Sequence, residues 1–364
     1  MNKYKRYPVL EVKASYVRDN AHVMTTYCAN QGISVAGVIK FSDGDLRIAE
    51  SYHEGGCSQI ASSRVIHLKR IKREFPDIET MLIRTPMLSE VCDVVKFCDI
   101  SLNSERDTLI ALNRESGEMG IMHSVIIMLD VGDLREGVIS IDELFELAMF
   151  VEYKLSNIEL LGIGASFACF GSILPTNENL GVLLTAAALI EEGIGRKLKY
   201  ISGGSSVNLT IMQREGMPEG INHLRIGGAI ANPRNIRLNR GVVIEDMKED
   251  TFVLKAELIE VNVKPSCPIG LSSINWTGNE VKFVDKGLRR RAIAAIGSQD
   301  IGDAMKLLPR EQGVKVIGCS SDHMILDIED CNQIWKVGDI VSFNMSYAAL
   351  MYAFCTRHVN IEFI

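Results

Sequence analysis

The chain has 364 residues, of which 47% are hydrophobic and 23% are charged, which is the composition of a globular protein long enough for two domains. Its net charge of -7 argues against a nucleic-acid-binding surface, which needs clustered positive charge. No secretory signal or bilayer-length apolar run is visible, and the nine cysteines show no metal-ligand spacing. We therefore expect a soluble cytoplasmic protein with no metal site, no membrane partner and no nucleic-acid partner.

The N-terminal region predicts a strand, a helix and a second strand that ends on a lysine. Tyr7–Val12 alternates apolar and polar residues, and Ser15 can cap a helix that runs to about Gln31. The next strand is apolar apart from one serine, ends at Lys40, and is followed by an Asp-Gly-Asp turn. Lys40 is either an ordinary surface lysine that closes a strand or a reactive lysine whose pKa is lowered by desolvation.

Strand and helix patterns then alternate regularly. The predicted strands are Ser34–Lys40, Gly56–Ile60, Thr80–Arg84, Asp99–Leu102, Ser124–Asp130, Glu159–Gly164, Tyr200–Gly203 and His223–Ile226. The helical patterns between them include Ser89–Phe97, Ser104–Ser116, Ile141–Leu155 and Thr176–Glu192, with caps at Ser89, Ser104 and Thr176. Eight alternations favour an α/β fold whose parallel strands close into a TIM-type (β/α)8 barrel. A doubly wound open sheet is the alternative, although the early turns lack its G-x-G-x-x-G fingerprint.

The pattern changes after the last predicted barrel strand. Val242–Glu260 and Val281–Ile296 carry many β-branched residues, and no long amphipathic helix follows them. We therefore predict a barrel domain over residues 13–232 and a mostly β C-terminal domain over residues 233–364. Residues 1–12 are expected to pair with the β domain.

Two loops rich in glycine would follow the seventh and eighth barrel strands. They lie within Ser202–Ser206 and Arg225–Ala229, the positions at which such barrels commonly bind phosphate. Paired glycines let backbone amides approach a phosphate, and Ser205 and Ser206 can donate hydroxyl groups. Each glycine pair could also be only a turn.

Lys40 would face the same end of the barrel as these loops. A phosphate-bearing aldehyde bound by a strand-end lysine is the chemistry of pyridoxal phosphate. Arg225, two residues before one glycine loop, can hydrogen-bond a pyridine nitrogen or can form a salt bridge at the end of its strand.

Eight motifs, some within the stretches described above, are spread along nearly the whole chain and form a specific combination. They are Tyr7–Val12, Gly37–Lys40, Leu82–Glu90, Asp99–Glu105, Asp130–Gly137, Ile201–Ser206, Leu224–Gly227 and Gly318–His323. In this combination the chain resembles the alanine racemase family of pyridoxal phosphate enzymes, most closely its ornithine racemase branch. The resemblance implies a fold type III enzyme, a barrel plus a C-terminal β domain. It also implies a head-to-tail homodimer whose active sites combine the barrel of one chain with the β domain of the other.

The resemblance also implies roles for individual residues. Lys40 would bind the cofactor covalently, Arg225 would face the pyridine nitrogen, and Arg135 would lie near the substrate carboxylate. The remaining cofactor-binding positions are Gly204, Ser205, Ser206, Gly227 and Tyr347 around the phosphate, and Ser166 where the family usually stacks a histidine on the ring. An arginine at the ring nitrogen disfavours ring protonation, which weakens the electron sink and favours fast reprotonation over transamination.

Racemisation needs an acid/base group on each face of a planar intermediate. Lys40 can serve one face. In alanine racemases a tyrosine from the partner's β domain, after an Ile-Gly pair, serves the other, but here Ile296-Gly297 is followed by Ser298. An unassisted serine hydroxyl is too weak to inherit that role, so we expect a different substrate and a different second base.

Three residues near one another in sequence are candidates for that second base. They are His323 and Asp322, followed by Cys319. Histidine is a common acid/base group in enzymes, so His323 could serve, but it can also be a structural histidine. Asp322 could accept a proton or bind the distal ammonium of a basic amino acid, and Asp300 could bind that ammonium instead.

The resemblance therefore implies a pyridoxal phosphate-dependent racemase in amino-acid metabolism. Its substrate would be a basic amino acid such as ornithine or lysine. Two alternatives stay open: a pyridoxal phosphate-dependent decarboxylase of similar architecture, and a non-catalytic pyridoxal phosphate-binding protein, which the absent tyrosine would suit.

Overall fold

The chain divides into two compact units. A computed structural model describes residues 5–271, 273, 274, 278 and 283–364. One unit is Ala14–Glu249, and the other combines the N-terminal segment up to Lys13, with strand β1 (Val9–Val12), and Asp250–Ile364. The compact unit that contains the barrel thus extends to Glu249, 17 residues beyond residue 232, at which the predicted barrel domain ends.

Side-chain contacts explain why residues 233–249 belong to the barrel unit. The Asn20 amide oxygen accepts from Lys248 N at 2.6 Å, and its amide nitrogen donates to Lys248 O at 2.9 Å. The Glu249 carboxylate accepts from Arg234 and Arg237. These contacts fix the segment to the first helix and to its own preceding helix before the chain leaves the barrel unit.

The barrel unit alternates strands and helices from end to end. Its strands are β2 (Ser34–Val38), β3 (Gln59–Ser62), β4 (Thr80–Leu82), β5 (Ile100–Asn103), β6 (His123–Met128), β7 (Ile158–Gly164), β8 (Tyr200–Ser205) and β9 (His223–Ile226). Its helices are α1 (Ala14–Ala29), α2 (Leu46–Glu54), α3 (Val65–Glu74), α4 (Val91–Phe97), α5 (Arg106–Met119), α6 (Ile141–Lys154), α7 (Asn177–Ile194), α8 (Leu209–Arg214), α9 (Gly228–Ala231) and α10 (Pro233–Arg240).

The eight barrel strands are parallel and form a closed barrel. β9 pairs with β2, so that Ser34 lies opposite His223 and Gly37 opposite Ile226. The predicted TIM-type barrel is therefore confirmed, and the open-sheet alternative is wrong. In such a barrel the C-terminal ends of the strands meet at one face, where active sites are built.

The second barrel strand begins later than predicted. The prediction was Gly56–Ile60, whereas β3 starts at Gln59. Gly56 has a φ of +93°, and Cys57 N donates to Tyr52 O at 3.1 Å. These residues complete the end of α2, and only then can the chain extend along β2.

The second unit is a mostly antiparallel sheet. Its other elements are β10 (Phe252–Pro265), β11 (Leu288–Ala294), α11 (Ser298–Ile301), β12 (Leu308–Pro309), β13 (Lys315–Cys319), β14 (Met324–Asp327), β15 (Ile340–Asn344), α12 (Tyr347–Cys355) and β16 (Asn360–Phe363). The strands follow the order β12-β15-β10-β11-β14-β13, and β1 pairs with β10 and β16. The predicted mostly β domain is thus confirmed.

The long β-branched runs mark strands only in part. Val242–Glu260 contains the start of β10, which begins at Phe252. β11 occupies Leu288–Ala294 of the predicted Val281–Ile296 run, whose first two residues lie outside the described residues. Within the described ranges, no helix is long and apolar enough to cross a membrane.

Candidate active site

Lys40 lies just beyond the first barrel strand rather than in it. β2 ends at Val38, Ile39 N donates to Ala61 O at 2.9 Å, and Lys40 begins a 3-10 turn that ends at Ser42. The prediction of a strand through Lys40 is therefore too long, because Ile39 leaves extended geometry with φ −104° and ψ 12°. Buried Ile39 and Phe41 on either side fix the backbone, while solvent reaches Lys40 at the C-terminal face of the barrel.

The surroundings of Lys40 lower the pKa of its ammonium group. Desolvation is the main cause, and the positive charge of Arg135 adds to it, whereas Cys169 and Glu136 act in the opposite direction. Solvent thus reaches the Lys40 ammonium group, but the surrounding protein partly desolvates it, as expected for a lysine in a recess. A lowered pKa increases the fraction of neutral amine, which is the nucleophilic form.

Arg225 supplies a buried positive charge on β9. Its side chain is 6% exposed. Nη1 donates to Ser202 Oγ, and Nη2 donates to Ala165 O at 2.8 Å and to Ser166 Oγ at 3.3 Å. Burial lowers the pKa of Arg225 to about 10, so the guanidinium keeps its charge at neutral pH.

Ser166 joins this arginine to a second one. Its hydroxyl oxygen also accepts from Arg135 Nη2 at 3.1 Å, and the hydroxyl group donates to Glu136 Oε1 at 2.9 Å. Arg135 donates from Nε and Nη2 to the Glu136 carboxylate. The site therefore contains two arginines and a carboxylate that meet at one small hydroxyl group.

The loop that carries Ser166 is fixed by a buried carboxylate. Asp133 is 1% exposed and accepts from the backbone nitrogens of Cys169, Phe170 and Ile173 at 3.0–3.3 Å. Of these residues only Arg135 was predicted from the sequence; Asp133, Glu136 and Cys169 were not. The available signal was the Asp130–Gly137 motif, in which two acidic residues flank Leu134-Arg135.

The two glycine loops lie side by side at the same face. Gly203 and Gly204 belong to β8 rather than to a loop, because β8 bulges against β9 between Ser202 and Ser205, where Gly204 has a φ of +126°. Ser206 Oγ accepts from Ala229 N at 3.2 Å and so connects the turn after β8 to α9, which follows β9.

Gly227 has no room for a side chain. A Cβ atom there would lie 2.5 Å from Val38 O. Gly227 therefore lets β9 approach the end of β2, two residues before Lys40. Lys40, Arg225, Ser205, Ser206, Gly204 and Gly227 all lie at the C-terminal ends of β2, β8 and β9.

The β unit brings the proposed second bases together around Ser298. Ser320–His323 forms the tip of the β13–β14 hairpin, where Ser320 N donates to His323 O at 2.8 Å. Ser298 N donates to Ser320 O at 2.9 Å, and Ser298 Oγ donates to Cys319 Sγ at 3.4 Å. Asp322 and His323 are exposed, whereas Cys319 is half-buried and burial raises the pKa of its thiol.

Asp300 and Tyr347 occupy other positions in the β unit. Asp300 is 7% exposed, and its carboxylate accepts from Gly297 N at 3.1 Å and from Thr356 Oγ1 at 3.4 Å. Tyr347 is the first residue of α12, and burial raises the pKa of its hydroxyl to about 12.

Three comparisons relate the chain to known proteins. Residues 12–232 match the family described as alanine racemase, N-terminal domain. The chain is 38% identical to the ornithine racemase of Acetoanaerobium sticklandii over 360 residues, which covers 98% of this chain and 100% of that protein. It is also 38% identical to the lysine racemase of Thermotoga maritima over 354 residues, which covers 97% of this chain and 98% of that protein.

A solved structure shares the fold. The alanine racemase of Clostridium difficile 630 aligns with a TM-score of 0.74 at 17% identity, covering 100% of this chain and 97% of that one. That likeness concerns the fold alone, whereas the family match spans the whole barrel and the two relatives span nearly the whole chain. The chain therefore belongs to the alanine racemase family, as the resemblance predicted.

Proposed function

We propose that this chain is a pyridoxal phosphate-dependent racemase that interconverts the L and D enantiomers of a basic amino acid, ornithine or lysine. The observation that carries the proposal is the meeting of Lys40, Arg225 and the serine-rich and glycine-rich ends of β8 and β9 at one face of the barrel. The substrate class is supported by two relatives, each 38% identical, that are an ornithine racemase and a lysine racemase.

The residues present fit the cofactor. Lys40 offers an amine of lowered pKa to the aldehyde, and Arg225 offers a buried cation to the pyridine nitrogen. For the phosphate we propose the Ser205 and Ser206 hydroxyl groups and the backbone at Gly204 and Gly227, with Tyr347 as a further ligand and Ser166 at the ring. When bound, pyridoxal phosphate supplies an electron sink that acidifies the substrate Cα proton.

Arg225 suits racemisation better than reactions that need a long-lived carbanion. A guanidinium only donates hydrogen bonds, so Arg225 would leave the pyridine nitrogen of a bound cofactor without a proton and would weaken the electron sink. A weak sink favours immediate return of the proton to Cα. This is the physical reason to prefer racemisation over transamination, and over the alternative of decarboxylation.

Two proton carriers are needed, one for each face of Cα. We propose Lys40 Nζ for one face. For the other we propose His323 or Asp322 at the hairpin tip beside Ser298, because both are exposed and polar at the position that adjoins the family's tyrosine site. Cys319, which accepts a hydrogen bond from Ser298, is the third candidate.

Substrate recognition needs a cation for the carboxylate and an anion for the distal ammonium. We propose Arg135 for the first role, since its guanidinium donates to Ser166 Oγ, which also accepts from Arg225. For the second we prefer Asp322 to Asp300, because the buried Asp300 carboxylate already accepts two hydrogen bonds within its own unit.

We further propose a homodimer with shared active sites that works in the cytoplasm. The homodimer is supported by the family, in which the second acid/base comes from the partner chain. The cytoplasmic location is supported by the scattered cysteines, which have none of the spacings of a disulfide framework.

Incubation of the reconstituted enzyme with single enantiomers should identify the substrate. We expect ornithine or lysine to be racemised with a kcat/KM at least about 100-fold above that of alanine, because a site built to pair a distal ammonium discriminates strongly against a substrate without one. Chiral chromatography of both enantiomers of ornithine, lysine and alanine measures this ratio. A preference for alanine would refute the substrate, carbon dioxide release would indicate the decarboxylase, and inertness toward all of them would indicate a non-catalytic binding protein.

A further inference from the structure

A seam of polar side chains crosses the otherwise apolar interior of the barrel. Most of that interior consists of apolar side chains such as Val38, Met81 and Leu102. Along β3, β8 and β9, however, buried polar residues follow one another from the N-terminal to the C-terminal ends of the strands. They are Gln59, His223, Ser202 and Arg225, which are 1%, 0%, 0% and 6% exposed. Buried polar groups are costly unless they are hydrogen-bonded.

Each neighbouring pair in the seam is in hydrogen-bond contact. Arg225 Nη1 contacts Ser202 Oγ, which lies 2.8 Å from His223 Nδ1. His223 Nε2 lies 3.3 Å from Gln59 Oε1, and Gln59 Nε2 lies 2.6 Å from Glu79 Oε2. Glu79 is half-buried just before β4. The seam therefore joins a buried cation at the active-site end of the barrel to a carboxylate at the opposite end.

The carboxylate fixes the direction of the hydrogen bonds at its end. An ionised carboxylate only accepts, so the Gln59 amide nitrogen donates to Glu79 and the amide oxygen faces His223. That oxygen also only accepts, so His223 carries a proton on Nε2. Burial lowers the pKa of His223 to about 3, which leaves the ring neutral at physiological pH and Nδ1 without a proton.

The same direction continues to the arginine. Nδ1 of His223 accepts the single hydroxyl proton of Ser202, and the Ser202 oxygen is left to accept from Arg225, which only donates. The four hydrogen bonds from Arg225 to Glu79 thus all point the same way, an arrangement in which each bond polarises the next. The Tyr200 ring, centred 4.8 Å from the His223 ring, packs against the middle of the seam.

We propose that Ser202, His223 and Gln59 form a hydrogen-bond relay that holds the Arg225 guanidinium in place from behind, and that His223 is a positioning residue for the reaction. The catalytic part rests on the proposed function, in which Arg225 faces the pyridine nitrogen. A guanidinium held in one orientation presents the same donor to that nitrogen in every turnover. Without the relay, the Ser202 hydroxyl is no longer held for Nη1, and only the Nη2 contacts to Ala165 O and Ser166 Oγ still orient the guanidinium. The donor at the pyridine nitrogen would then be less firmly fixed, and the electron sink would be kept weak less effectively.

The tautomer of His223 tests the relay without cofactor or turnover. In protein labelled with nitrogen-15 histidine, the His223 signals are assigned by their loss in His223→Phe, or by their shift in Gln59→Met if the first variant does not fold. The relay requires a neutral ring protonated on Nε2 at neutral pH. A ring protonated on Nδ1, or on both nitrogens, would overturn it.

Kinetics of the same variants test the positioning role. His223→Phe keeps a buried ring and removes both hydrogen bonds, and we expect kcat to fall about tenfold or more with little change in KM. We also expect more keto acid per racemisation event, because Arg225 no longer keeps the electron sink weak. Gln59→Met, which acts three hydrogen bonds away from Arg225, should shift both quantities in the same direction by a smaller factor.

A second buried histidine provides a matched control. His123 is 1% exposed, and its Nε2 lies 2.8 Å from Ser101 Oγ on a neighbouring barrel strand. His123→Phe should lower thermal stability without changing the ratio of keto acid to racemised product. If His223→Phe only reproduced the effects of His123→Phe, the positioning role would be wrong. If no variant and no wild-type enzyme racemised any substrate, the proposed function would fail while the tautomer measurement still decided the relay.

Discussion

Replacing Lys40 with alanine should reduce kcat for racemisation by at least about 1,000-fold and remove the visible colour of enzyme reconstituted with pyridoxal phosphate. Lys40 has two roles in the proposed site: its amine binds the cofactor aldehyde, and it carries the proton for one face of Cα. The lowered pKa of Lys40 serves both roles, because each needs the neutral amine. Since solvent reaches Lys40, the substitution should change the free energy of unfolding by no more than about 0.5 kcal/mol.

Two control variants distinguish the loss of the Lys40 amine from the loss of a positive charge at this position and from the loss of a lysine elsewhere. Lys40→Arg keeps a positive charge but cannot serve as a neutral amine, so it should be as inactive as Lys40→Ala. Lys197→Ala removes a lysine whose side chain is 88% exposed, at the opposite end of the barrel, and should keep wild-type activity. Retention of more than about a tenth of the activity in Lys40→Ala would exceed what a lost general acid/base allows and would contradict the assignment.

Arg225→Gln is the second substitution with a large expected effect. We expect kcat to fall by about 100-fold, since loss of one fixed donor at a site of charge development costs about this much. We also expect keto acid formation to rise relative to racemisation, because a neutral amide permits protonation of the pyridine nitrogen. Ser202, Ser166 and the Ala165 carbonyl each lose the hydrogen bond from Arg225, so the free energy of unfolding should fall by about 2 kcal/mol.

A surface arginine distinguishes this catalytic effect from the loss of any arginine contact. Arg196 donates to the Glu152 carboxylate and to Leu160 O at the N-terminal end of the barrel. Arg196→Gln should lower stability slightly and leave the ratio of keto acid to racemised product unchanged. An unchanged ratio in Arg225→Gln as well would mean that Arg225 does not face the ring nitrogen.

The barrel was predictable because its signal is repeated. Most of the eight strands are short and largely apolar runs, and the predicted His223–Ile226 agrees with β9 to the residue. The cap at Thr176 is also confirmed, since its hydroxyl oxygen accepts from Asn179 N at 3.2 Å. Strand boundaries were harder to predict. At Lys40, a single backbone rotation at Ile39 ends the strand within a continuous apolar run, and hydropathy does not report such rotations.

The side-chain network of the site could not be read from the sequence. Ser166 appears there only as a departure from the family's histidine, whereas in the structure its hydroxyl joins Arg225, Arg135 and Glu136. Ser166, Arg225 and the Arg135-Glu136 pair come from distant parts of the chain and are brought together by the closure of the barrel. The relay behind Arg225 could not be predicted from the sequence for the same reason. Two of its members, Gln59 and His223, are 164 positions apart in the chain.

The most direct test of racemisation is exchange of the Cα proton with solvent. The reconstituted enzyme is incubated with L-ornithine, and separately with L-lysine, in deuterium oxide, and the products are resolved by chiral chromatography and mass spectrometry. If the protein is a racemase that works through Lys40 and a second acid/base, we expect it to form the D enantiomer of at least one of these amino acids with deuterium at Cα. We expect no release of carbon dioxide. Recovery of both L enantiomers without deuterium, or formation of the decarboxylated diamine, would contradict the proposed function.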